Sequence, residues 1–138
     1  MFKRRIVLFS VSFISLLIGL MIYVFFRSDT YIHDFLYPFL KPNILILQNS
    51  LLFNFIRYYF IDFLWGVALS FALLSVSYSI NSKSIVLSAI LSLLCGIAFE
   101  VFQFTGILNG TFDFFDICMY ATASIFFAVI NINIIKKE

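Results

Sequence analysis

The sequence predicts an all-α, polytopic membrane protein: four transmembrane helices, with an interfacial helix in the first outer loop. Three observations carry that expectation. The 138 residues are 63% hydrophobic and only 12% charged, and a mean hydropathy of +1.08 lies far outside the range of a soluble globule. Four apolar runs each approach the roughly 20 residues that a helix needs to cross a hydrocarbon core about 30 Å thick. Twenty phenylalanines supply the kind of surface that lipid accepts. The runs consume most of the chain, so residues 1–138 are read as a single transmembrane domain.

The first span is expected at residues 6–26. Lys3, Arg4 and Arg5 precede it, which also fits a signal peptide. The run ends in Tyr23-Val24-Phe25-Phe26-Arg27, without a small-residue cleavage pattern, and reads as a retained anchor. The first loop, from Arg27 to Arg57, is rich in Phe and Leu, but Pro38 and Pro42 prevent one helix from running through its first half. After them, "NSLLFNFIRYY" offers Asn49 or Ser50 as an N-cap, with Leu51, Leu52, Phe55 and Ile56 on one face. That pattern predicts a short interfacial helix leading into the second span; the alternative is a second span that starts earlier and carries Arg57 deeper. The remaining spans are expected at 58–78, 85–104 and 114–135. Tyr58, Tyr59 and Trp65 suit an aromatic belt at a helix end.

Lysines and arginines near the spans set the orientation. Lys3, Arg4, Arg5, Lys83, Lys136 and Lys137 fall on one side, and Arg27, Lys41 and Arg57 on the other. The excess places both termini in the cytoplasm and makes the chain a multi-pass protein of the cytoplasmic membrane. Its expected partners are membrane lipids. A net charge of +2 gives no footprint for nucleic acid. Cys95 and Cys118 lie inside predicted spans, where they read as small apolar residues, and two cysteines without histidine neighbours make no zinc site. His33 beside Asp34, in the first loop, is read as a solvated pair.

The stretch "EVFQFTGILNGTFDFFD", residues 100–116, breaks the apolar pattern by gathering Glu100, Asp113 and Asp116 out of seven acidic residues in all. Asp62 near the outer start of the second span joins them at one depth. A carboxylate facing hydrocarbon costs about 2.5 to 3.5 kcal/mol on insertion scales, so these acids are expected to face the bundle or water. Small or polar residues continue each acid at helical spacing: Gly66 and Ser70 after Asp62; Gly96, Ser92, Ser88 and Ser84 before Glu100; Tyr120 and Ser124 after Asp116. Such stripes let membrane helices approach closely. Glu100 with Gln103, and Asp113 with Asp116, share faces at i, i+3, and Asn109-Gly110 in "ILNGTF" suits a tight reversal between them. Arg57, about one turn before Asp62, is the nearest cation able to pair with a carboxylate.

Three readings of this constellation stand side by side. In the first it is a polar staple, with Arg57, Gln103, Tyr120 and backbone groups satisfying the acids. In the second, Asp62, Glu100, Gln103, Asp113, Asp116, Arg57 and Tyr120 form an outward-facing pocket for a polar head group or antibiotic. In the third, Glu100, Asp113 and Asp116 hold a divalent cation for an enzyme acting on a lipid-linked phosphate. A structural subunit of a larger membrane complex is a further class of role.

The pattern E-x-x-Q near the end of one apolar helix, a short loop, and F-D-x-x-D opening the last helix resembles the VanZ-like membrane proteins. "YYFIDFLWGVALSFAL" is similar to the acid-bearing helix of small members of that family. The resemblance runs from about Arg57 to Ser124. It implies a compact multi-helix membrane fold with Asp62, Glu100, Gln103, Asp113 and Asp116 as shared polar positions. The founding member of that family is associated with tolerance to teicoplanin-type glycopeptide antibiotics, and a lipid-linked or glycopeptide ligand is the partner expected of such a pocket. The chain departs from the family where Gly110 replaces a common arginine and Tyr120 a common asparagine.

Overall fold

In a computed structural model that describes residues 2–26, 35, 38 and 51–137, every regular element is helical. They are α1 (Phe2–Phe26), α2 (Leu51–Phe55), a π-helical segment (Ile56–Phe60), α3 (Ile61–Val76), α4 (Ser82–Phe104) and α5 (Phe114–Lys137). Among the described residues, four stretches are long and apolar enough to cross a membrane: Phe2–Val24, Ile56–Val76, Ser82–Phe104 and Phe114–Lys136. These coincide with the four expected spans to within a few residues at each end. The expected loop features Pro42, His33, Asp34 and the Asn49 or Ser50 cap lie outside the described residues.

The second span differs from expectation at its start. Phe55, Phe60 and Ile61 all have right-handed helical dihedrals, so α2, the π-helical segment and α3 follow one another without a break. Leu51–Phe55 therefore runs directly into the helix that becomes the second span. Arg57 sits inside the π-helical segment. Segments of this kind widen a helix by one residue and shift the direction of the side chains around it.

α3 is the central helix, packing against α1, α4 and α5, while α4 and α5 also pack on each other. Leu8, Ser12, Ser15 and Gly19 form the buried stripe of α1, at the four- and three-residue steps that keep one helix face against a neighbour. Ser12 Oγ donates to the Ala68 carbonyl at 2.7 Å. At Gly19 a Cβ would meet Trp65 Nε1 at 2.9 Å, so the missing side chain is what admits the indole of α3. The dry core is built from Leu8, Val67, Phe71, Leu74, Ile85, Ala89, Ala123 and Phe127. Phe71 and Phe127 meet edge to face with ring centroids 4.9 Å apart, the arrangement that aromatic quadrupoles favour.

This core lies toward the end of the bundle that carries the basic residues. Arg5 Nη2 donates to the carbonyls of Ser77 at 2.7 Å and Tyr78 at 2.9 Å, just past the C-terminus of α3, where orphan carbonyls and the helix dipole both favour a cation. Asn81 then caps α4, its Oδ1 accepting the Ser84 N–H at 2.9 Å, which explains why the helix begins at Ser82, ahead of the apolar run. The opposite end holds residues 105–113 and the acids.

Candidate functional site

Three of the stripes legible in the sequence converge below the acids. Ser70 Oγ and Ser92 Oγ, from α3 and α4, both donate to the Gly66 carbonyl at 2.9 Å. The second of these bonds links two helices at the point where Gly66 and Gly96 bring α3, α4 and α5 together. The Tyr120 ring of α5 occupies the space those glycines leave. A Cβ on Gly96 would lie 2.3 Å from Tyr120 Cγ, and one on Gly66 would lie 3.2 Å from Tyr120 Cδ1. From that slot the phenol reaches up one turn and donates to Asp62 Oδ1 at 3.2 Å. Tyr120 is thus a tie between α5 and α3, with its ring forming the floor of what lies above.

The turn from α4 to α5 is built by a second set of bonds. The Gly106 N–H donates to the Gln103 carbonyl at 3.1 Å and the Ile107 N–H to the Phe102 carbonyl at 2.9 Å. With Gly106 at φ +74°, this is a Schellman ending, which needs a residue that tolerates the left-handed region. Gly110, at φ +151°, passes so close over Gln103 that a Cβ would lie 2.8 Å from the side-chain amide carbon. A side chain at this position, where the resembled family often has arginine, would have to displace the Gln103 amide.

Asp113 is the N-cap of α5. Its Oδ1 accepts the Phe115 N–H at 2.8 Å, satisfying one of the orphan donors at a helix start. In a capping box, the residue three further on would reach back to the N-cap amide. Here Glu100 of α4 takes that place, its Oε2 accepting the Asp113 N–H at 3.0 Å. Glu100 is only 3% exposed, and an anion at a helix N-terminus is favourable by about 0.3–1 kcal/mol, more when partly buried. The acid of E-x-x-Q and the first acid of D-x-x-D are therefore joined through backbone, and one box is assembled from two helices.

Above these ties lies a cavity of about 800 Å³, lined in part by Asp62, Glu100, Gln103, Asp113, Asp116, Arg57 and Tyr120. All of the residues singled out in the sequence as pocket candidates thus border one space. Tyr23 of α1, Tyr58, Tyr59 and Trp65, and Asn109 and Thr111 of the turn, also line it. Sequence reasoning missed Tyr23 and the turn residues. The stripe ending at Gly19, one turn below Tyr23, was the available signal that α1 packs beside this region. Trp65 and Tyr23 meet with ring centroids 6.5 Å apart.

Arg57 does not serve as the staple's cation. Its guanidinium carbon stands 5.2 Å from the centroid of the Tyr58 ring, and its buried Nε has no hydrogen-bond partner among the described residues. The cation-holding trio of Glu100, Asp113 and Asp116 requires three carboxylates aimed at one point. Among the described residues, no group of three or more His, Cys, Asp or Glu could hold a metal ion. The physical reason is visible in the hydrogen bonds: Glu100 Oε2 and Asp113 Oδ1 are turned to backbone N–H groups. Cys95 and Cys118 are exposed on the bundle surface and unpaired. No family model, curated protein or solved structure matches the chain.

Proposed function

We propose that the chain is a VanZ-like protein of the cytoplasmic membrane, with both termini in the cytoplasm, whose outward-facing cavity engages a polar head group or glycopeptide and so influences tolerance of teicoplanin-type antibiotics. The single observation that supports this reading best is the common cavity. Polar residues from the π-helical segment, α3, α4 and α5 border about 800 Å³, within the range of about 300–1,000 Å³ typical of small-ligand sites. Ionisable groups at membrane depth are rarely kept except for a pathway or a site. The staple reading also has support, from the Glu100–Asp113 and Tyr120–Asp62 bonds. The two are compatible: the ties hold the helix ends apart at fixed spacing, and Arg57 and the remaining donors and acceptors face the space so framed.

The test is antibiotic tolerance in the native host. Deletion is expected to lower tolerance of teicoplanin, and a membrane-inserted Arg57→Gln, Asp116→Asn double variant is expected not to restore it. Full restoration by that variant would make the cavity irrelevant to the role.

Orientation rests on the lysine and arginine excess at the end where Arg5 caps α3. In a Cys95→Ser, Cys118→Ser background, a membrane-impermeant thiol reagent is expected to label Ile107→Cys in intact cells and Ser82→Cys only after lysis. Both positions are exposed. The reverse pattern would invert the topology and place the cavity on the cytoplasmic side.

A further inference from the structure

The end of the bundle away from the cavity is basic. The membrane-crossing stretches run Phe2–Val24, Ile56–Val76, Ser82–Phe104 and Phe114–Lys136, so Lys3, Arg4 and Arg5 open the first, Lys83 opens the third and Lys136 closes the fourth. These cations stand where the spans meet the head groups. Two sets of contacts show that they share one face. Arg5 Nη2 donates to the Ser77 and Tyr78 carbonyls, which ties the start of α1 to the turn before α4. Ile80 of that turn and Ile135, beside Lys136, then pack on the same core cluster.

Among the described residues no acid offsets this charge at the same level. Asp62, Glu100, Asp113 and Asp116 all line the cavity at the other end, and Lys137 and Glu138 follow in the sequence with opposite signs. The helix dipoles cancel there too, since α1 and α4 begin at this face while α3 and α5 end at it. Arg5 is bound to neutral carbonyls, which leave its charge in place. Lys3, Lys83 and Lys136 are exposed and have no hydrogen-bond or ion-pair partner among the described residues. Phe2 and Tyr78, 76% and 96% exposed, set beside these cations the kind of aromatic surface that lies at a membrane interface.

We propose that this basic face binds phospholipids of net negative charge, with the phosphate held by the exposed lysines and the acyl chains lying along the apolar outside of the bundle. A bilayer lipid fits better than a soluble anion, because the cations sit at the ends of spans and their exposed neighbours Phe2, Ile6 and Val86 are apolar. A zwitterionic lipid brings its own cation to its phosphate and gains little from the lysines. A net anion gains about fivefold in affinity from each lysine within reach. The surface is separate from the cavity, and neither reading depends on the other.

The experiment offers the full chain, purified and delipidated in mild detergent, equal amounts of phosphatidylglycerol and phosphatidylcholine with identical acyl chains, and reads the lipid retained by native mass spectrometry. Phosphatidylglycerol is expected to be kept about tenfold over phosphatidylcholine, and the preference should shrink as salt screens the exposed charges. A Lys3→Gln, Lys83→Gln, Lys136→Gln triple variant leaves Arg5 and its bonds to the end of α3 in place. It is expected to unfold at the wild-type midpoint and to hold the two lipids near parity. Equal retention of both lipids by the wild type overturns the proposal, and so does a preference that the triple variant keeps. Displacement of phosphatidylglycerol by excess inorganic phosphate overturns the lipid assignment in favour of a free-phosphate site. The comparison of lipids and its salt dependence are measured on wild-type protein, so they do not depend on how the variant folds.

Discussion

Gly96→Ala is expected to destabilise the protein, although helix propensity alone predicts the opposite. Replacing an interior helical glycine by alanine is favourable by about 1 kcal/mol when nothing is nearby. Here the new Cβ would lie 2.3 Å from Tyr120 Cγ and 2.5 Å from Tyr120 Cδ2, so the ring must move. It has little room, because on its other side a Cβ of Gly66 would already come within 3.2 Å of Tyr120 Cδ1. Either α4 shifts away from α5, or the ring leaves its slot and loses the bond to Asp62. Overpacking of this kind costs about 1–3 kcal/mol, which exceeds the propensity gain, and the net sign is destabilising. Equilibrium unfolding in detergent supplies the measurement, and a pair of second-site variants identifies the cause. Tyr120→Phe keeps the ring and should not relieve Gly96→Ala. Tyr120→Ala removes it and should make the two changes strongly less than additive. A Gly96→Ala protein as stable as wild type would mean that the ring does not occupy the slot between the glycines.

That slot explains why polar and small residues are arranged in stripes rather than scattered. Burial of apolar surface does little to drive helices together inside lipid, so close backbone approach and interhelical hydrogen bonds carry the association. Gly66, Gly96 and Ser92 bring α3 and α4 close enough for the Ser92 hydroxyl to reach the Gly66 carbonyl at 2.9 Å. The hydroxyl of Tyr120, wedged between them, then arrives at Asp62. The same feature that packs the lower bundle sets the floor of the cavity, and the Schellman ending with the Asp113 cap sets its upper side.

Much of this was legible in the chain. Hydropathy gives the four spans because lipid leaves little choice: a backbone crossing hydrocarbon must satisfy its own N–H and C=O groups. The four-residue steps from Asp62, Glu100 and Asp116 give the facing sides of α3, α4 and α5, because polar groups cannot point outward without cost. Gly106, just past the last apolar residue of α4, was a readable stop signal, though the reversal was expected at Asn109-Gly110. The start of the second span was legible only as one of two alternatives. Arg57 interrupts the hydropathy, whereas the helical backbone takes no account of charge and continues through it. The position of α1 was not legible, since one helix sequence does not say which neighbour it packs on. The role of Glu100 needed the fold itself, because its partner is the backbone N–H of Asp113, and a backbone donor leaves no mark in side-chain identity.

Glu100 offers the cleanest separation between holding the structure and serving the site. Glu100→Ala is expected to cost about 1–3 kcal/mol, the penalty for leaving a buried N–H without its acceptor, together with the space vacated by a side chain that is only 3% exposed. Glu100→Gln keeps an acceptor oxygen near Oε2 and loses only the charge, and with it the favourable interaction with the N-terminus of α5, about 0.3–1 kcal/mol. Stability should therefore fall in the order wild type, Gln, Ala, with the larger step at Ala. Hydrogen exchange should locate the effect. The Asp113 amide and the first turn of α5 should lose protection in Glu100→Ala and largely keep it in Glu100→Gln, while Phe127 and the dry core exchange as in wild type. Equal losses in both variants would show that charge, rather than the hydrogen bond, is what the carboxylate contributes. If the order holds, the glutamine variant becomes the useful probe: it preserves the two-helix capping box but withdraws one negative charge from the cavity. A fall in ligand retention without a comparable fall in stability would then assign the Glu100 carboxylate to the pocket as well as to the turn.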